Sequence, residues 1–173
     1  SVSVALYVEA TLPAICAAYV AARLGCLLNG CCFGSVTDLP WGIVYGKSSY
    51  AFYQQVFSGL VPPDATETLP VHPVQLYDAV AVSMACCIAM RSRMINVAPI
   101  AVLASMFGIV RFCLEFLRGD TYAVIAGATN GQLASLAVVL ISAPWWAHAM
   151  WRARHVNTLM MQQIVSHPGK GDP

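Results

Sequence analysis

Apolar positions dominate the chain in four long runs rather than alternating with polar ones. The runs cover residues 7–29, 73–90, 95–117 and 131–151. A hydrocarbon core about 30 Å thick needs about 20 apolar residues per helix, so each run predicts a membrane-spanning helix. The first run contains Glu9, Pro13 and Arg23, the third contains Arg111 and Glu115, and the fourth carries no charge. No Lys or Arg precedes residue 23, and a secretory leader needs a basic stretch before its apolar run. The first run is therefore expected to be a helix of the bundle and not a leader. The chain opens on Ser1 rather than Met, which fits a processed, renumbered or partial product.

Between the first two runs lies a loop of residues 30–72. Trp41-Gly-Ile-Val-Tyr45, between Pro40 and Gly46, predicts a short strand there, and Pro62, Pro63 and Pro70 punctuate the remainder. Arg91, Arg93, Arg152, Arg154 and Lys170 fall on one side of this arrangement, against Lys47 and Arg118 on the other. The excess of positive charge predicts both termini in the cytoplasm, with residues 30–72 facing outward. Residues 152–173 are expected to form a cytoplasmic tail, fraying from about residue 162. The fold class is thus an all-α integral membrane domain, one unit over residues 1–173, with short strands in its outward loop.

Composition supports this reading. The chain is 58% hydrophobic and 10% charged, with mean hydropathy +0.66. Soluble domains carry about 25% charged residues. Nine Lys and Arg against eight Asp and Glu leave no basic excess for nucleic acid. Neither an internal repeat nor a low-complexity tract is visible, so a transporter built from inverted repeats has little support.

Ionisable groups inside membrane helices mark functional sites by default. Arg111, Glu115 and Arg118 share one face at helical spacing, and Arg23 lies near the outer end of the first helix. Two arginines at one depth make a clamp for a lipid phosphate, because guanidinium meets phosphate bidentately. The alternative is an Arg111–Glu115 ion pair that only joins helices. Gln75 and Asp78 share a face of the second helix, with His72 just before it. His72 is an interfacial side chain or a base, since imidazole changes charge near neutral pH. Cys26, Cys31 and Cys32 lack the paired spacing of zinc sites, so no metal is expected. An outward face permits a disulfide among them. Cys16, Cys86, Cys87 and Cys113 read as small apolar residues within helices. Trp145 and Trp146 fit an interfacial aromatic belt.

Three blocks then carry a resemblance. Arg23-Leu-Gly-Cys-Leu-Leu-Asn-Gly-Cys-Cys-Phe-Gly34, His72-Pro-Val-Gln-Leu-Tyr-Asp78 and Gly108-Ile-Val-Arg-Phe-Cys-Leu-Glu-Phe-Leu-Arg-Gly-Asp120 stand in sequence order, followed by a fainter echo at Asn130-Gly-Gln-Leu-Ala-Ser135. Together they resemble the bacterial prolipoprotein diacylglyceryl transferase family, with Asp78 where the family has Glu. The resemblance implies a multi-pass protein of the bacterial cytoplasmic membrane that uses phosphatidylglycerol and a lipobox prolipoprotein and needs no cofactor. It implies catalytic roles for Arg23, Arg111 and His72. Asn29, Gly30, Gly34, Gln75, Tyr77, Glu115 and Arg118 would bind or shape the substrate site, with Glu115 and Arg118 bracing Arg111. The family's His-Gly-Gly block does not occur in the sequence, and Cys26 and Cys31 stand where the family carries polar Asn and Glu. Two readings follow: a diacylglyceryl transferase, or a non-catalytic lipid-binding subunit of a larger membrane complex.

Overall fold

The long apolar runs fold as helices, as the absence of a water-facing polar stripe requires. The structure, a computed structural model, describes residues 4–92, 99–119, 123–125 and 127–166. Its elements are α1 (Val4–Asn29), α2 (Tyr50–Phe57), α3 (Val74–Ser92), α4 (Pro99–Glu115), β1 (Ala123–Ile125), β2 (Ala128–Thr129) and α5 (Asn130–Ser166). The strands form a small antiparallel hairpin, so the chain is mostly helical.

Among the described residues, three segments are long and apolar enough to cross a membrane: Ala10–Asn29, Val74–Ser92 and Asn130–Arg152. Within the bundle, α3 packs between α1 and α4, and α4 packs between α3 and α5. The burial of the spans follows from that order. The α3 span is 44% buried, against 11% for the α1 span and 12% for the α5 span. Large apolar side chains such as Leu28, Leu136, Leu140 and Ile141 point outward, the arrangement lipid contact requires. The α4–α5 seam is made of small residues. A side chain at Gly108 would press on Ser135 O at 2.9 Å, and the Ser105 and Ser142 hydroxyls bond at 2.8 Å. Close backbone approach and hydroxyl bonds are how helices associate without a hydrophobic drive.

Several expected boundaries move. The third run was expected over residues 95–117, but α4 ends at Glu115 and its 17 residues rise only about 26 Å. Its first part, with Arg93, lies outside the described residues, as do Lys170 and residues 120–122 and 126 of the outward turn. The fourth helix continues to Ser166 where a tail was expected from residue 152. Nothing between breaks it: Pro144 is the last proline before residue 168, and Ala, Met, Arg and Gln are good helix formers. The expected strand over residues 41–45 reduces to single bridges, Ile43 with Val71 and Gly46 with Glu67. The Tyr45 N–H donates to the Thr68 side chain instead of a backbone carbonyl, which interrupts the ladder.

The segment between α1 and α3 is held by polar side chains that act as backbone partners. Ser49 caps α2 by accepting from the Phe52 N–H at 3.1 Å. Gln55, 1% exposed, accepts from the Leu69 N–H and donates to the Leu69 carbonyl, at 2.8 and 3.3 Å. Phe33, Ala51 and Val71 make a small core against Tyr45. Extended backbone then ties the end of α1, the start of α3 and the end of α4 together. Gly34 N–H bonds to His72 O at 2.9 Å, and Ser35 N–H to Leu117 O at 2.7 Å. Gly34 sits at this crossing with no room for a side chain, since a Cβ would lie 2.5 Å from that of His72.

Candidate functional site

Asp78 is the centre of the charged cluster. It lies one turn after Gln75 on α3 and is 1% exposed. Its Oδ2 forms an ion pair with Arg23 Nε of α1 at 2.8 Å and accepts from Tyr19 OH at 2.7 Å and from Arg111 Nη1 of α4 at 3.4 Å. Arg23 also donates to Tyr19 OH at 2.6 Å, its guanidinium lying over the tyrosine ring. A carboxylate in such a place is tolerable only if paired. Asp78 Oδ1 nevertheless has no hydrogen-bond partner.

Arg111 carries the charge network outward. Its Nη2 lies 3.5 Å from Glu115 Oε2, which also faces Arg118 Nε at 4.0 Å. These are ion-pair distances, and Glu115 Oε2 takes no hydrogen bond. The other oxygen is anchored: Thr129 donates its hydroxyl to Glu115 Oε1 at 2.8 Å. Thr129 and Gln132 also form a reciprocal cap on α5, each bonding the other's backbone N–H at 3.1 Å. Gly131 fits between them because any Cβ there would overlap the Glu115 carboxylate. Arg118 does not continue the helical face of Arg111 and Glu115 as expected, because α4 stops at Glu115 and Arg118 pairs with Gly34 in extended backbone. Its side chain folds back to Glu115 all the same. Three guanidinium groups and two carboxylates leave this cluster one net positive charge.

Two cavities meet the cluster from different sides. One of about 400 Å³ is lined by Arg111, Glu115, Arg118, Thr129, Asn130 and Gly131. The other, about 280 Å³, is an apolar groove between helices that includes Ile15, Tyr19, Val82, Leu103 and Phe107. Tyr19 belongs both to this groove and to the Asp78 hydrogen bonds.

The remaining expected residues sit around the outer crossing. His72 Nδ1 lies 3.4 Å from Tyr77 OH, which accepts from Trp41 Nε1 at 2.7 Å. Among the described residues, His72 shares no hydrogen bond or ion pair with Arg23 or Arg111. Gln75 is 1% exposed and donates to Cys31 O at 2.7 Å, leaving its Oε1 unpaired beside the Tyr45 hydroxyl. Burial pushes the Tyr45 phenol up from its ordinary value, and the adjacent Gln75 carboxamide works the other way. Gly30, at φ +68°, ends α1, while Asn29 is exposed. Arg23 and Arg111 are thus brought onto one oxygen, and Gly34 and His72 onto one crossing.

Sequence reasoning placed Asp78 on the right helix but left it out of the site, and it passed over Tyr19. The signal for Asp78 was present: a lone carboxylate inside an apolar helix needs a cation, and Arg23 and Arg111, assigned only to a phosphate, were the cations within apolar runs. Tyr19 lies one turn before Arg23, within side-chain reach.

The sequence profile of the prolipoprotein diacylglyceryl transferase family matches residues 1–148. A phosphatidylglycerol–prolipoprotein diacylglyceryl transferase of Wolbachia sp. subsp. Drosophila simulans (strain wRi) is 31% identical over 129 residues, covering 69% of this chain and 43% of its own length. A protein of the same name from Pseudomonas fluorescens (strain SBW25) is 30% identical over 139 residues, 74% of this chain and 46% of its own. Another from Clostridium tetani (strain Massachusetts / E88) is 26% identical over 136 residues, 77% of this chain and 49% of its own. The chain therefore spans about half the length of the curated relatives it matches. No solved structure matches it. With the profile running through the helices that carry Arg23, Asp78, Arg111 and Glu115, the chain belongs to the prolipoprotein diacylglyceryl transferase family.

Proposed function

We propose that the chain binds the headgroup of phosphatidylglycerol at Arg23 and Arg111 and serves diacylglyceryl transfer to the lipobox cysteine of a prolipoprotein. The observation that carries this is the joint at Tyr19. There an apolar groove of about 280 Å³ adjoins the net-positive cluster of Arg23, Arg111 and Asp78. A lipid phosphate would compete with Asp78 for guanidinium donors that already converge. In the reaction the prolipoprotein thiolate attacks the glyceryl carbon, the carbon–oxygen bond to phosphate breaks, and glycerol phosphate leaves. Arg23 and Arg111 stabilise the charge gathering on that phosphate in a site shielded from water. Glu115 and Arg118 set the position of Arg111. Gly30, Gly34 and Asn29 shape the rim, Gln75 and Tyr77 line the approach, and His72 takes the thiol proton. The membrane arrangement that goes with this is four spans, α4 included, with both termini cytoplasmic and residues 30–72 outward, in a bacterial cytoplasmic membrane.

The test is native mass spectrometry of the purified chain with phosphatidylglycerol and a zwitterionic control lipid. Arg111→Lys keeps the charge but loses the two-pronged donor, and retention of the anionic lipid should fall roughly tenfold, the worth of a charge-assisted hydrogen bond. Equal retention of both lipids by wild type and variant would reduce the arginines to structural ion pairing. Thioether formation on a lipobox peptide supports the transferase reading. Selective lipid binding without peptide modification leaves the non-catalytic subunit in its place. Impermeant thiol labelling at a cysteine introduced for Ser48, with protection at one introduced for Asn157, checks the orientation.

A further inference from the structure

Helix α1 ends in a turn that gathers sulfur. Gly30 N–H bonds to Leu27 O at 3.2 Å and Cys31 N–H to Cys26 O at 3.1 Å, the paired bonds of a Schellman closure around the left-handed Gly30. That closure characteristically sets the side chain just past the helix against the one in its last turn. Here those two positions are Cys31 and Cys26. Cys32 follows at φ +58°, the one non-glycine residue with positive φ among those described. A left-handed thiol-bearing residue carries a backbone cost, so the turn is held by its surroundings. Its result is that the Sγ atoms of Cys26, Cys31 and Cys32 all lie within 4.8 Å of one another. All three are free thiols and half-buried, unlike Cys16 and Cys86, which lie in the core.

We propose that Cys26, Cys31 and Cys32 form a three-thiolate site for one thiophilic cation, Zn(II) or Cu(I). Metal–sulfur bonds of about 2.3 Å put three ligand sulfurs about 3.8–4 Å apart, so the turn needs to tighten by less than about 1 Å. A donor set of sulfur alone selects soft ions over Mg(II), Ca(II) or Mn(II). Three thiolates give the filled site a net negative charge, and Arg23, one turn before Cys26 and within electrostatic reach of Cys32, offsets it. The Cys31 carbonyl is fixed by Gln75 Nε2 at 2.7 Å, which anchors the turn from α3 and orients its ligand. The linear spacing argued against a metal because it lacks two separated pairs. The left-handed turn brings together what that spacing does not show.

The full chain, purified in detergent with reductant, is loaded with Zn(II) or Co(II) in one arm and titrated with Cu(I) against a chromogenic chelator in the other. The expected result is one ion per chain, with a sulfur-to-cobalt charge-transfer band in the Co(II) form. Cys26→Ser, Cys31→Ser and Cys32→Ser should each weaken binding by more than about a hundredfold, beyond what loss of an outer-shell partner does. Cys87→Ser and Cys113→Ser should leave it unchanged. If a serine variant fails to fold, bound ion slowing maleimide labelling of these three thiols in the wild-type chain gives the same information. Which arm yields the stoichiometric ion identifies it. No stoichiometric ion in either arm, or an ion that survives all three substitutions, overturns the proposal. So does a disulfide among these cysteines in protein purified without reductant.

Discussion

Asp78 gives one oxygen to three donors from two other helices, whereas Glu115 divides its two oxygens between an anchored hydroxyl and a looser pair of arginines. Both carboxylates are buried, at 1% and 5% exposure. The contacts at Asp78 run from 2.7 to 3.4 Å and join α1, α3 and α4. Those from Glu115 to arginine run from 3.5 to 4.0 Å and border an open cavity. The first carboxylate fixes where the helices stand. The second meets its arginines only at longer ion-pair distances, beside that cavity, and is the looser of the two arrangements. A charged pair inside a bundle can thus serve assembly or adjustment, and the bond lengths separate the two.

The largest effect should come from Asp78→Ala. It leaves Arg23 without a carboxylate and Arg111 with only the longer contact to Glu115, the two cations facing one another. Removing one partner of a buried pair costs about 3–5 kcal/mol. For a chain of this size that lowers the midpoint of thermal unfolding in detergent by roughly 6–20 °C. Glu115→Gln, which keeps the anchoring oxygen, should cost about 1 kcal/mol in the same measurement. If the two variants melt alike, the contrast between assembly and adjustment fails.

A middle effect is expected for Gly131→Ala. The added methyl occupies the space of the Glu115 carboxylate, and overpacking costs typically about 1–3 kcal/mol. The carboxylate has to swing away from Thr129, so lipid retention should fall together with stability. Paired with Glu115→Ala, which removes the obstruction, the loss should be less than additive. Full additivity would mean that Gly131 acts through the α5 backbone alone.

This contrast also explains what the sequence made legible. Long apolar runs with few charges predict helices directly, because a lipid environment leaves the backbone no other partner. Arg23, Arg111 and Glu115 stand out for the same reason, as costly groups in apolar runs. The reciprocal Thr129–Gln132 cap is written locally as Thr-x-x-Gln. What stayed hidden depends on pairing across distance. The single bridges of Ile43 and Val36 with Val71 join segments far apart in sequence, and a five-residue apolar stretch does not reveal them. Helix α2 is too short to show a period, and it is fixed by Ser49 and by Gln55 gripping Leu69. That Asp78 needs a cation was legible, but which one was not: Arg23 lies 55 residues before it, and only the packing of α1 on α3 joins them.

The last substitution sharpens the comparison most, because of the two Glu115 oxygens it touches only the anchored one. Thr129→Val keeps the branched shape and removes the hydroxyl. Two bonds go with it: donation to Glu115 Oε1 and acceptance from the Gln132 N–H. Loss of the cap costs about 1 kcal/mol, and the carboxylate loses a donor of similar worth. The unfolding midpoint should drop by roughly 4–8 °C. Thr129→Ser keeps the hydroxyl and should stay close to wild type. Lipid retention is the discriminating readout. If Thr129 anchors the carboxylate against the pull of Arg111, the valine variant lets Glu115 pair more closely with the arginine. Phosphatidylglycerol would then compete less well and bind more weakly. If binding is unchanged while stability falls, Thr129 serves only the start of α5, and the adjustable arginine side of Glu115 works without its anchor.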